Sequence, residues 1–249
     1  MAGETDALVR SFAGEPELHH PVRGRVKGAR AFERFATDTN AWLAERDVTV
    51  DDVDLLVTPR RTVEEVVMHL DGDGGARIEV PVAIVADRDE DARLQELRVY
   101  HSTWPLTGGH AIRPPLLQPD PGVHETDVVG EYQRALAAGD IDAAVGAFEP
   151  DGCVREPAGG QYVHRGTEEL RALYTLFFSN GGGIPLEHCT ATDDGRACAL
   201  EYNVVAWGRT ELPPEAGVAV YVRSHHGKLA AARIYDDSSP PLTAHQQRP

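Results

Sequence analysis

Two stretches of this chain read as one text written twice. "TDALVRSFAGEPELHHP" (Thr5–Pro21) lies on "IDAAVGAFEPDGCVREP" (Ile141–Pro157) without a gap, at an offset of 136 residues. Phe12 falls on Phe148 and Pro21 on Pro157. The residue before that proline is His20 in the first stretch and Glu156 in the second. The same offset carries Glu65 onto Glu201 and Gly72 onto Gly208. Further on, "LRVYHSTWPLT" (Leu97–Thr107) matches "ARIYDDSSPPLT" (Ala232–Thr243) after a small change of offset. Likeness along both halves is the mark of a duplicated domain.

Between the copies, "GGHAIRPPLLQPDPGVHETD" (Gly108–Asp127) holds Pro114, Pro115, Pro119 and Pro121. Proline fixes φ and removes a backbone donor, so this reads as a stiff linker. The expected division is a first domain over 1–107, a linker over 108–122 and a second domain over 123–249. In the second copy, Val128, Val129, Tyr132, Ala135 and Leu136 recur at helical spacing. Gly139 stops that helix and Asp140 caps the next one, Ile141–Phe148. A strand Cys153–Pro157, a helix after Gly166 and four strands from Leu186 to Tyr235 follow. "NGGGIP" (Asn180–Pro185) and "ELPPEAG" (Glu211–Gly217) read as flexible loops at a pocket mouth. Helices first and antiparallel strands after is an α+β pattern. The first copy starts at the counterpart of the second helix, so one wall of it is missing or is supplied from elsewhere.

The formal net charge of −16 argues against nucleic acid or an anionic membrane as partner, because both recruit basic patches. With 41% hydrophobic residues the chain can bury real cores. Cys153, Cys189 and Cys198 make neither a disulfide framework nor a zinc knuckle. The first residues, "MAGETDALVRSF", have no signal-peptide core, and no apolar run reaches membrane-spanning length. The expected location is the cytoplasm. No P-loop, no GxGxxG and no GxSxG is present, so nucleotide-dependent and serine-nucleophile chemistry are not expected.

The second copy resembles ketosteroid isomerases and SnoaL-like polyketide cyclases of the nuclear transport factor 2-like fold. "YQRALAAGDIDAAVGAFEPDGCVREP" (Tyr132–Pro157), "HRGTEELRALY" (His164–Tyr174) and "GKLAAARIY" (Gly227–Tyr235) carry the resemblance. It implies two tandem cone-shaped α+β barrels, each a curved sheet wrapped on helices, the first lacking its first helix. It also implies a base at Glu156 and an oxyanion donor at Tyr132. The second oxyanion acid of ketosteroid isomerases belongs on the third long strand. That strand here, "GVAVYVRS" (Gly217–Ser224), has none.

Strand alternation puts Glu156 on the face of Val154 and turns Arg155 away. An unpaired carboxylate on an apolar face would be raised toward neutrality, the condition for a general base. Further candidates for the pocket are His188, Glu201, Asp236 and His20. The recurrence of Glu65 and Glu201 suggests a shared structural task instead, an ion pair or an interface. Asp236 and Asp237 follow the last strand, near where a pocket would open. His164, His225 and His226 read as loop residues. No metal is expected, because nothing in the spacing of His20, His69 and His101 demands one. The expected function is a cofactor-independent acid–base enzyme, an isomerase, cyclase or dehydratase, on a small apolar molecule. Its rival is a non-catalytic ligand-binding or interaction module. An epoxide hydrolase would need an Asp–Arg–Asp set, and none stands at strand-compatible positions. The expected partners are a small molecule and the paired domains themselves, with room for a homodimer.

Overall fold

The computed structural model describes residues 2–72 and 75–238. The matched residues 239–243 of the second copy therefore lie outside the described residues. The first copy runs α1 (Ala2–Ser11), β1 (Glu17–His20), β2 (Gly24–Lys27), α2 (Ala29–Glu45), β3 (Thr49–Val57), β4 (Arg61–Asp71), β5 (Arg77–Arg88), β6 (Leu94–Tyr100) and α3 (Trp104–Thr107). The second runs α4 (Val128–Ala138), α5 (Ile141–Gly146), β7 (Phe148–Arg155), β8 (Val163–Arg165), α6 (Gly166–Phe177), β9 (Leu186–Asp193), β10 (Ala197–Trp207), β11 (Thr210–Arg223) and β12 (Leu229–Tyr235). Among the described residues, α1 is the counterpart of α5, and nothing in the first copy corresponds to α4.

The two sheets have one topology. Their strand orders are β2-β1-β6-β5-β4-β3 and β8-β7-β12-β11-β10-β9. In each, a single parallel pair (β1 with β6, β7 with β12) joins otherwise antiparallel neighbours. Register repeats as well. Glu65 faces Ala83, which faces Tyr100; Glu201 faces Val218, which faces Tyr235. The sheets are curved but open, with strands free at both edges, so the expected barrels are not closed.

Local signals set the helices of the second copy. Asp127 accepts from Val129 N to cap α4, and Asp140 accepts from Ala143 N to cap α5. Gly139 ends α4 at φ 71°, a conformation that costs glycine nothing. The inner faces of α4 and α6 then bury Val129, Tyr132, Leu170, Leu173 and Tyr174 in one core with Val154, Leu200 and Ala232. Fully burying a side chain such as Leu170 contributes about 1.5–3 kcal/mol. Without a counterpart of α4, the first copy has two smaller clusters, one around Phe12 and Phe32, the other around Leu70 and Val80.

The outer faces of the two sheets share a separate core. Leu56, Val63, Ala83 and Val85 meet Ala197, Ala199, Val218 and Val220. Two reciprocal clamps lie in it. Arg98 grips Glu201 through Nε (2.6 Å) and Nη2 (2.9 Å), while Tyr100 donates to the same carboxylate at 2.7 Å. Arg233 grips Glu65 through Nε (2.7 Å) and Nη2 (2.5 Å), while Tyr235 donates to it at 2.6 Å. Each arginine, acid and tyrosine has its twin in the other copy.

Two local readings need correction. "ELPPEAG" lies within β11 rather than in a loop. Pairing with β10 steps from Ala206–Glu211 to Val204–Glu215, so Pro213 and Pro214 sit in a bulge where the ladder asks for no donor. That bulge also moves Trp207 off the face of Glu201 and into the inner core, where Nε1 donates to Phe177 O at 2.7 Å. "NGGGIP" packs under α4 instead of edging a pocket, with Ile184 N donating to Leu136 O at 2.8 Å. The linker is tied to both sheets. Arg113 stacks on Tyr100, Ala216 N donates to Arg113 O, and Asp120 N donates to His188 O.

Candidate functional site

Glu156 continues the inner face of β7 beyond Val154. Its carboxylate is not unpaired, as alternation alone suggested: Oε1 lies 2.6 Å from Nε2 of His164. An ionised carboxylate only accepts, so the imidazole nitrogen carries the hydrogen. Both side chains are partly open to solvent, 22% for Glu156 and 28% for His164. His164 belongs to β8, a three-residue strand whose register sets it opposite Val154. Three residues display no periodicity, so the sequence alone shows His164 as part of a loop. Arg155 points to the outer face, stacks on Tyr235 and donates to its hydroxyl.

Tyr132 stands on α4 inside the core, and its hydroxyl accepts from Tyr174 at 3.0 Å. Its own proton is therefore free to be donated. Burial pushes its pKa up to about 12, partly offset by the Tyr174 bond. Its ring packs against Phe148 and Tyr221. Tyr132 and Glu156 thus have separate partners, Tyr174 and His164.

Asp236 stands just after β12. Ala232 and Ile234 face the inner core, and alternation carries Asp236 to that side. Tyr202 of β10 donates to Oδ2 at 2.8 Å and Ser238 N to Oδ1 at 3.2 Å. Burial pushes its carboxyl up to about 7 despite the Tyr202 bond. Only glycine at 217 allows this contact: a Cβ there would lie 2.7 Å from the Tyr202 ring and 2.8 Å from the Asp236 Cβ. Asp237 is its opposite. Burial opposes its charge, yet His110, Ser102, Thr103 and Ala111 N all donate to it and hold it at about 2.

The remaining candidates lie apart. His188 bonds Gln133 at 3.3 Å, and burial lowers its pKa. Glu201 sits in the shared core between the sheets, where Arg98, Tyr100 and Thr190 occupy its oxygens. Burial opposes its charge, but Arg98 keeps its pKa low. His20 takes the Glu156 register, since His19 pairs with Arg98 as Arg155 pairs with Arg233. Its Nδ1 accepts from Val22 N and Arg23 N, and its ring meets His101 edge-on at 5.5 Å. Burial, then the neighbouring His101 and Arg113, lower it to about 3. His69 turns instead to Asp51 at 3.0 Å. His20, His69 and His101 therefore do not make one cluster.

An Asp–Arg–Asp set does exist. Arg223 binds Asp127 at 2.5 Å and Asp193 at 2.6 Å. Strand spacing does not reveal it, because Asp127 belongs to a helix cap. It stands at the Leu229 end of the β11–β12 pair, away from Glu156, and fastens the start of α4 to the sheet. Two acidic groupings could offer ligands to a cation, Glu17–His19–Glu96 and Glu125–Asp193–Cys198. In the first, Arg25 and Lys27 already neutralise Glu17; in the second, Arg223 lies beside Asp193 and Glu125.

Residues 129–232 match the model of the SnoaL-like domain family. The second repeat is a SnoaL-like domain. Solved structures similar to this chain include an uncharacterized cystatin-fold protein of Novosphingobium aromaticivorans, 20% identical over 44% of this chain and 98% of its own, TM-score 0.37. A protein of Sinorhizobium meliloti proposed to be a polyketide cyclase is 22% identical over 44% of this chain and 94% of its own, TM-score 0.38. An epoxide hydrolase/cyclase-like enzyme of pyran-ring formation in the polyether salinomycin is 16% identical over 39% of this chain and 77% of its own, TM-score 0.31. No curated protein matches the chain. No described helix is long and apolar enough to cross a membrane. Within the SnoaL-like domain, Glu156–His164 is an ionisable pair that remains partly open to solvent.

Proposed function

We propose that the SnoaL-like domain is a cofactor-independent acid–base catalyst for a small, mostly apolar carbonyl compound. The observation that carries this reading is the Glu156–His164 pair, 2.6 Å apart and partly open to solvent. In this reading Glu156 takes a proton from the carbon beside the carbonyl. His164 orients the carboxylate and moderates its charge. Tyr132, whose oxygen accepts from Tyr174, donates its own hydrogen to the developing enolate oxygen. Glu156 then returns the proton at another carbon, so an isomerisation balances without any co-reactant. In a dehydration the same proton leaves with the expelled hydroxide as water.

The test is α-proton exchange. A panel of small cyclic ketones in D2O is followed by NMR with the protein and with Glu156→Gln. The substitution keeps shape and removes basicity, and the expected fall in rate is roughly 10²–10³-fold. Unchanged exchange in the variant would sink the assignment.

One observation favours a second reading, a non-catalytic binding module. The rings of Tyr132, Tyr174, Tyr221 and Phe177 occupy the inner core behind the pair. Saturable binding of a ketone without any exchange would support that reading.

A further inference from the structure

The two repeats border a groove of about 530 Å³, within the usual range for small-ligand sites. Neither Glu156 nor His164 lines it, although Ala158–Gln161, which does, belongs to the loop that joins them. The first repeat contributes Ile78 and Glu79 from β5 and Trp104 and Pro105 from α3; the second contributes Ala158 and its glycine loop.

Its aromatic wall is held in place from behind. Trp104 stacks on His110 with ring centroids 4.8 Å apart and 24° between the planes. His110 is fixed in turn by Asp237, 3.1 Å from its Nδ1. Ser102 and Thr103, which lead into Trp104, donate to the same carboxylate at 2.5 Å. The buried acid of the second repeat therefore presets the indole of the first. One face of the ring is covered by His110, and Trp104 still lines the groove.

The charges in the lining are unequal in availability. Arg77 is engaged by Asp71 (3.0 Å), Asp47 O (3.0 Å) and Thr49 (3.0 Å). Glu79 accepts from Gly160 N at 2.9 Å through Oε2, while its Oε1 has His69 Nδ1 at 3.8 Å. A backbone N–H occupies one carboxylate oxygen without bringing a compensating charge. The groove thus offers an indole face and an anion, in a chain whose net charge of −16 draws cations.

We propose that this groove binds a small organic cation, a quaternary or aryl ammonium, with its charge between the Trp104 face and the Glu79 carboxylate. This binding is independent of the proton-transfer reading and is measured without turnover. The test uses the full chain, labelled with nitrogen-15 and titrated with benzyltrimethylammonium and, separately, with phenylacetate. The chain has three tryptophans, so Trp104→Phe assigns the indole signal of Trp104. That signal should move saturably with the cation, at a Kd at least about tenfold below that for phenylacetate. Glu79→Gln keeps the acceptor for Gly160 N and removes the charge; it should bring the two ligands to within about twofold. Trp104→Leu should weaken the cation by about tenfold, with Trp104→Phe in between. Equal affinity for phenylacetate, a Trp104 signal that stays still up to about 10 mM cation, or binding indifferent to Glu79→Gln would overturn the proposal.

Discussion

The two repeats share a sheet, strand for strand, and differ in what they hold against it. On their outer faces they remain near copies. Arg98, Glu201 and Tyr100 mirror Arg233, Glu65 and Tyr235. On their inner faces they have parted. The second repeat has α4, one continuous core, and acids at Glu156 and Asp236. The first has no counterpart of α4 among the described residues, two smaller cores, and histidines at both of those places, His20 and His101. Each face has kept the residues its surroundings require. The outer faces meet each other, so a change on one leaves a buried partner on the other exposed to loss. The inner faces answer only to their own helices and were free to diverge.

Removing one member of a clamp tests this contrast hardest. Arg98→Ala leaves Glu201 buried and uncompensated, at an expected cost of about 3–5 kcal/mol. Arg233→Ala should cost less, because its side chain is 14% exposed against 1% for Arg98. Urea denaturation followed by circular dichroism measures both. Equal and small losses would show that the shared face does not hold the halves together.

The inner faces should answer pH in opposite directions. His20 is depressed to about 3 in the fold. Its contribution is complete above the unfolded value near 6.5 and is lost as pH falls toward 3. Asp236 is raised to about 7. Its contribution is complete below the unfolded value near 3.9 and is lost as pH rises through 7. Asp236→Asn should therefore gain on the parent protein by roughly 2–3 kcal/mol between pH 5 and pH 8. A difference independent of pH would mean that Asp236 is ionised throughout. The smallest expected effect on stability is that of Tyr132→Phe. Loss of the Tyr174 bond should cost about 1 kcal/mol. In the proposed mechanism the same change should slow exchange by roughly 10–10²-fold, a split that a merely structural tyrosine would not give.

Much of this was legible in the sequence. The offset of 136 residues exposed the duplication, and the Asp140 cap and Gly139 stop marked the helices of the second repeat. Glu156 was visible as an acid sharing the face of Val154. What stayed hidden depended on pairing between segments. His164 finds Glu156 only because β8 pairs with β7. Trp207 changes face because a bulge holds Pro213 and Pro214, which single-strand alternation cannot foresee. Asp236 meets Tyr202 across two strand pairings and the gap left at Gly217. Asp127, Arg223 and Asp193 come together from a helix cap and two strand ends. Each depends on how one segment pairs with another, and the pattern along a single segment carries no trace of it.

The central claim is that proton transfer belongs to the second repeat, at the position where the first has a histidine. The direct measurement is α-proton exchange in D2O with Glu156→Gln and His20→Gln side by side. The account predicts a fall of roughly 10²–10³-fold for Glu156→Gln and a change of no more than about twofold for His20→Gln. Equal loss in the two variants, or none for Glu156→Gln, would contradict it.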